Sequence, residues 1–138
     1  MSFEVTCRVM AKGTPPDSCV LVIFGASGDL ARHTLIPSLY ALNCRGLLPK
    51  PFAIIGFARR EWDDEAFRDG MRQVVKNKGG FHADGWEQFA RGLSYVHGDI
   101  GSSPGDAYAA LQRKVDEVRA ERHLPGNILF HCATPPRL

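Results

Sequence analysis

The chain has 138 residues, a length that suits one domain with a usable core. Its 44% apolar and 23% charged residues are the composition of a globular domain. A net charge of +2 with no long basic run argues against a nucleic-acid partner. No apolar stretch approaches the ~18 residues of a membrane span, so no membrane partner is expected.

Residues 1–17 carry Arg8 and Lys12 but no sustained apolar region, so a secretory leader is not expected. Their Gly13-Thr14-Pro15-Pro16 end reads as a flexible lead-in to a domain spanning 18–138. Cys7, Cys19, Cys44 and Cys132 are scattered without a C-x-x-C. Cys19 and Cys132 lie in apolar strand patterns and read as buried thiols of a reducing compartment, which makes a cytoplasmic location the expectation. The histidines have no metal-ligand spacing, and no metal site is expected.

The first strand is expected over Cys19–Phe24, a continuous apolar run. It enters the turn Gly25-Ala26-Ser27-Gly28, and a helical pattern from Asp29 to Cys44 follows directly. Strand, glycine turn and helix in that order build a phosphate site from main-chain N–H groups. Gly25 permits the tight turn, and Gly28 has no Cβ to obstruct a pyrophosphate. The spacing is G-x-x-G rather than G-x-G-x-x-G, so an ordinary strand-to-helix turn reads the same way. The Ser27 hydroxyl suits either a phosphate or a helix cap. Asp29 is expected to cap the helix with its carboxylate while its own N–H faces the phosphate. Leu35, Leu39 and Leu42 form one apolar stripe of this helix, and Ile36 and Tyr40 a second. Pro37 should kink it, and Gly46 should stop it before the loop with Pro49 and Pro51.

A second strand is expected over Phe52–Phe57. A helix follows Trp62, capped by Asp63 or Asp64, with Phe67, Met71, Val74 and Val75 on its apolar stripe and Gly79-Gly80 at its end. A short helix over Asp84–Arg91 and a strand over Leu93–Val96 come next. The last helix has Ser103 as cap, Pro104 in its first turn, and Tyr108, Leu111, Val115 and Val118 on one face. Pro125-Gly126 closes it, and a strand over Asn127–Ala133 ends the pattern.

Alternating strands and helices, with near-continuous apolar strands, give an α/β fold: a Rossmann-like, doubly wound parallel sheet. About six strands complete such a sheet, so the fold is expected to be cut short after its fourth strand.

The second strand should end beside the adenosine ribose, where an NAD site usually places a carboxylate. Here the residues are Gly56-Phe57-Ala58-Arg59-Arg60, with no acid before Glu61. Guanidiniums suit a 2′-phosphate, which points to NADP. The opposing reading makes Arg59 and Arg60 solvated residues paired with Glu61 or Asp63, an arrangement that contributes at most about 1 kcal/mol.

These residues together resemble glucose-6-phosphate dehydrogenases. Gly25-Ala26-Ser27-Gly28-Asp29-Leu30-Ala31 is similar to that family's glycine turn, Pro37 to its helix proline, and Gly46-Leu47-Leu48-Pro49 to the loop after the helix. Gly56-Phe57-Ala58-Arg59 resembles the strand end that carries the family's 2′-phosphate arginine. Leu93-Ser94-Tyr95-Val96 and Asn127-Ile128-Leu129-Phe130, then Ala133 and Pro135-Pro136, resemble its next two strands. The likeness runs from about Cys19 to Pro136.

The resemblance implies oxidation of glucose 6-phosphate by NADP to 6-phosphogluconolactone and NADPH, the first oxidative step of the pentose phosphate pathway. It implies cofactor contacts for Gly25, Ser27, Gly28, Asp29, Leu30 and Arg59, with Arg60 beside them and Tyr95, Ala133 and Pro135 near the cofactor. Where relatives often carry Lys after the Ala of the turn, this chain has Arg32-His33. The family's Glu-Lys-Pro and Arg-Ile-Asp-His-Tyr segments, which supply a substrate lysine and the catalytic histidine, do not occur in residues 1–138, and no sugar-phosphate domain is expected within them. Neither His123 nor His131 has the context to replace that base, so no catalytic residue is assigned. The chain is expected to bind NADP without turnover, with glucose 6-phosphate and homo-oligomer formation belonging to the complete enzyme. The alternative is a self-contained NADP-binding or sensing module without catalysis. A short reductase of another dinucleotide fold ranks last, because the chain has no Tyr-x-x-x-Lys.

Overall fold

A computed structural model describes residues 19–48, 52–79, 81–99, 101, 104–124 and 128–132. Strands β1 (Val20–Phe24), β2 (Ala53–Ala58), β3 (Leu93–His97) and β4 (Ile128–Cys132) form one sheet in the order β3-β2-β1-β4. Every pairing is parallel, with Ile23 opposite Gly56 on one side and His131 on the other. The helices are α1 (Ile36–Cys44), α2 (Asp64–Lys78), α3 (Ala83–Ala90) and α4 (Pro104–Arg122). This is the expected doubly wound Rossmann-like sheet.

The apolar runs are continuous because both faces of the sheet are covered. Val20, Val22 and Phe24 of β1 join Ala53, Ile55 and Phe57 of β2 against Ala107, Leu111, Val115 and Val118 of α4. The alternate residues Ile23, Ile54, Leu93 and Tyr95 face the other way, under Ile36, Tyr40, Phe67, Met71, Trp86 and Phe89 of α1, α2 and α3. Tyr40 fastens α1 to the entry of α3: its hydroxyl donates to the His82 carbonyl at 3.2 Å and accepts the His82 N–H at 3.1 Å.

The helix punctuation follows the sequence with corrections. Asp63, not Asp64, caps α2, accepting the Ala66 N–H at 2.8 Å. Gly79 ends that helix, and Gly46 and Leu47 close α1 through N–H bonds to Asn43 and Leu42. On α4 the buried position belongs to Ala107, and the expected Tyr108 is half-buried, because Ala107 continues the spacing of Leu111, Val115 and Val118.

Pro37 does not interrupt a regular α-helix. A π-helical turn, Ala31–Leu35, precedes α1, and the Ile36 N–H donates to Ala31 across the wider ring. Pro37 thereby falls in the first turn of α1, where its missing N–H costs little. The Asp29 cap is also overturned. The Gly28 carbonyl accepts the Arg32 N–H at 3.1 Å, so Gly28 occupies the capping position and Asp29 lies inside the first helical turn. The lead-in of residues 1–17, Pro49, Pro51, Gly80, Ser103, Pro125-Gly126, Ala133 and Pro135 lie outside the described residues.

Candidate site at the carboxyl ends of β1 and β2

The strand order changes direction at β1, with β2 and β3 on one side of it and β4 on the other. In an open parallel sheet the ligand crevice lies there, at the carboxyl ends of the strands. The glycine turn leaves β1 at this point.

One carbonyl fixes that turn. Phe57 O, in β2, accepts the Gly25 N–H at 2.8 Å and the Ala26 N–H at 3.3 Å, while Gly28 N–H donates back to Gly25 O at 3.0 Å. Gly25 adopts φ +79°, a left-handed conformation that a Cβ would strain. Gly56 serves a different need. A Cβ there would lie 2.8 Å from Ala26 Cβ and 2.8 Å from Phe67 Cζ, so only glycine lets the turn and the α2 core ring close over β2.

Beyond these bonds the turn offers donors. Among the described residues, the N–H groups of Ser27, Asp29, Leu30 and Ala31 have no acceptor. Gly28, Asp29 and Leu30 are exposed, and Leu30 is 49% accessible, a large apolar side chain held in water beside the free donors. Adjacent unpaired N–H groups at the start of a helix attract an anion, aided by the positive end of the helix dipole. The arrangement fits a pyrophosphate.

Arg59 and Arg60 leave the end of the neighbouring strand, and both are exposed. The expected alternative of pairing with Glu61 or Asp63 does not occur: the Asp63 carboxylate is engaged with Ala66 N–H, and among the described residues Arg59 has no ion pair. The Arg60 guanidinium lies over the Trp62 ring, 4.8 Å from its centroid. Arg59 is therefore the guanidinium left for an anion.

Tyr95 is buried below this turn rather than open to a ligand. Its hydroxyl donates to the Arg60 carbonyl at 2.8 Å. Burial pushes the phenol up to about 12, while the Ser27 hydroxyl and the Arg60 charge pull it the other way, so it keeps its proton and remains a donor at neutral pH. The Ser27 hydroxyl thus faces Tyr95, and no side-chain cap bond forms at this helix entry. His33, the expected surface residue, is exposed, and the buried Cys19 thiol is pushed up by desolvation.

The sequence reading did not find Trp62 or the packing role of Gly56. An isolated glycine inside an apolar strand is a signal of close backbone approach, and it was legible. It also missed a groove of about 380 Å³ between α2 and α3, in which Arg68, Arg72 and Arg91 are offset by Glu65, Asp69 and Glu87. That groove includes no residue of the glycine turn or of the Arg59–Arg60 turn. Among the described residues no group of side chains has the composition of a metal site, and no helix is long and apolar enough to cross a membrane.

The chain is similar to known proteins over most of its length. Residues 22–138 match the family described as glucose-6-phosphate dehydrogenase, NAD binding domain. The chain is 38% identical over 121 residues to glucose-6-phosphate 1-dehydrogenase 2 of Mycobacterium tuberculosis, covering 86% of this chain and 23% of that one. It is 38% identical to glucose-6-phosphate 1-dehydrogenase of Aggregatibacter actinomycetemcomitans, covering 88% and 24%. A solved glucose-6-phosphate dehydrogenase in complex with its substrate glucose-6-phosphate superposes with a TM-score of 0.75 at 30% identity, over 89% of this chain and 25% of the other. The enzyme from Mycobacterium avium gives 0.70 at 31% identity, over 89% and 24%. The chain therefore spans about a quarter of the length of these relatives.

Proposed function

The chain belongs to the glucose-6-phosphate dehydrogenase family, within its nicotinamide-dinucleotide-binding region, and we propose that it is the NADP-binding portion of an enzyme that oxidises glucose 6-phosphate to 6-phosphogluconolactone. The observation that carries the choice of NADP is Arg59, exposed and without an ion pair among the described residues, at the end of the strand that pins the glycine turn. The N–H groups of Ser27, Asp29 and Leu30 hold the pyrophosphate. Arg59 holds the 2′-phosphate through charge-assisted hydrogen bonds, and Leu30 covers the bound coenzyme. The family likeness alone assigns Ala133 and Pro135 to the coenzyme, and Gly25 and Gly28 keep the main chain accessible to it. When bound, the nicotinamide supplies the hydride acceptor. The residues of this chain bind and orient; the sugar-binding lysine and the catalytic base implied by the family likeness do not occur in residues 1–138. The location proposed is the cytoplasm, in keeping with thiols such as the buried Cys19.

The test is calorimetric titration of the purified chain with NADP and, in parallel, NAD. NADP is expected to bind about tenfold or more tightly, the value of one good charge-assisted contact. Equal affinities would overturn the choice of NADP.

A further inference from the structure

We infer that Tyr95 is a positioning residue for coenzyme selectivity, holding the turn from which Arg59 projects. The inference rests on the reading of Arg59 as the 2′-phosphate ligand. A flexible guanidinium discriminates between coenzymes only if its main chain is fixed, because ordering it on binding opposes affinity. The fixing is visible at the next residue. The Arg60 carbonyl accepts two hydrogen bonds, one from the Trp62 N–H at 2.9 Å and one from the Tyr95 hydroxyl at 2.8 Å. The first is local to the turn. The second ties the turn at the end of β2 to the neighbouring strand β3.

Tyr95 is itself held from both ends. Its ring packs against Trp62 at 5.7 Å and Phe67 at 5.2 Å between centroids. Its main-chain N–H, on the outer edge of β3, donates to Asp64 Oδ1 at 2.8 Å, and Asp64 Oδ2 receives Lys114 Nζ of α4 at 3.1 Å. Trp62 closes the arrangement by carrying the Arg60 guanidinium on its face. Arg60 is thus occupied with anchoring the turn at both its carbonyl and its side chain, and Arg59 is the member free to bind.

Tyr95→Phe keeps the ring packing and removes the hydroxyl's bond to the Arg60 carbonyl together with its contact to the Ser27 hydroxyl. In the full chain this variant is expected to weaken NADP binding about fivefold while NAD binding is unchanged, as loss of one hydrogen bond would do. Trypsin cleavage after Arg59 and Arg60, located by mass spectrometry, is expected to accelerate by a similar factor, and this readout does not depend on coenzyme. Unchanged cleavage would overturn the positioning role whatever the coenzyme result. Equal weakening of NADP and NAD would make the phenol a purely structural group and also overturn it. Failure of the underlying reading has a separate signature, an Arg59→Ala variant that keeps the wild-type preference.

Discussion

Arg59→Ala is expected to lower NADP affinity by about 10- to 150-fold and to leave NAD affinity nearly unchanged. The magnitude is that of a hydrogen bond to a charged group, ~1.5–3 kcal/mol, converted to a ratio of dissociation constants. The asymmetry follows from chemistry, since the two coenzymes differ only in the 2′-phosphate that Arg59 is assigned. No folding penalty is expected to confuse the result: Arg59 is exposed and has no ion pair among the described residues, so its truncation exposes no buried partner. Arg59→Lys should recover part of the preference, because an ammonium keeps the charge and loses the paired geometry. Parallel titrations of both variants with NADP and NAD measure this, and a similar loss for both coenzymes would assign Arg59 to something other than the 2′-phosphate.

Phe67→Ala is expected to cost about 3–5 kcal/mol of stability, the range for removing a fully buried aromatic ring. Phe67 is 0% exposed and is the largest of the fully buried side chains. It lies against Trp62 at 6.3 Å and Tyr95 at 5.2 Å, and over the space that Gly56 leaves open. The loss would be a large share of the roughly 5–15 kcal/mol that keeps a domain folded. Because Ala26 is packed against the same glycine, the vacated volume borders the glycine turn, and, if that turn is the coenzyme site, binding should weaken along with stability. Urea denaturation would show a lower midpoint at a similar slope. A change below ~1 kcal/mol would mean that the ring is not supporting β2 and the turn.

Much of this arrangement was legible in the chain. The strands could be read because residues covered on both faces must be apolar without alternation, as in Val20–Phe24 and Ala53–Ala58. The stripe Phe67, Met71, Val74 and Val75 is buried as a group for the same reason. The glycine turn and the paired arginines could be read because each is a contiguous segment whose chemistry is local. What escaped was not local. Tyr95 and Arg60 are 35 residues apart in sequence and meet only because β2 and β3 pair. Asp64 was legible as a candidate cap, but its partner Lys114 lies 50 residues away on the opposite layer. The entry to the first helix was misread at Asp29 because the capping preference of an acid competes with the geometry of the turn. Gly28 lies one residue earlier and supplies the first helical carbonyl. The π-turn at Ala31–Leu35 has no sequence signature beyond Pro37, which announces a disturbance without saying which kind.

The most direct single measurement is a titration of the ¹⁵N-labelled chain with NADP, followed through its main-chain amide shifts. If the glycine turn and the arginine turn form the coenzyme site, the amides of Ser27, Asp29 and Leu30 move most, together with Arg59 and Arg60. Shifts centred instead on Arg68, Arg72 and Arg91 in the groove between α2 and α3, with the glycine turn unmoved, would contradict it.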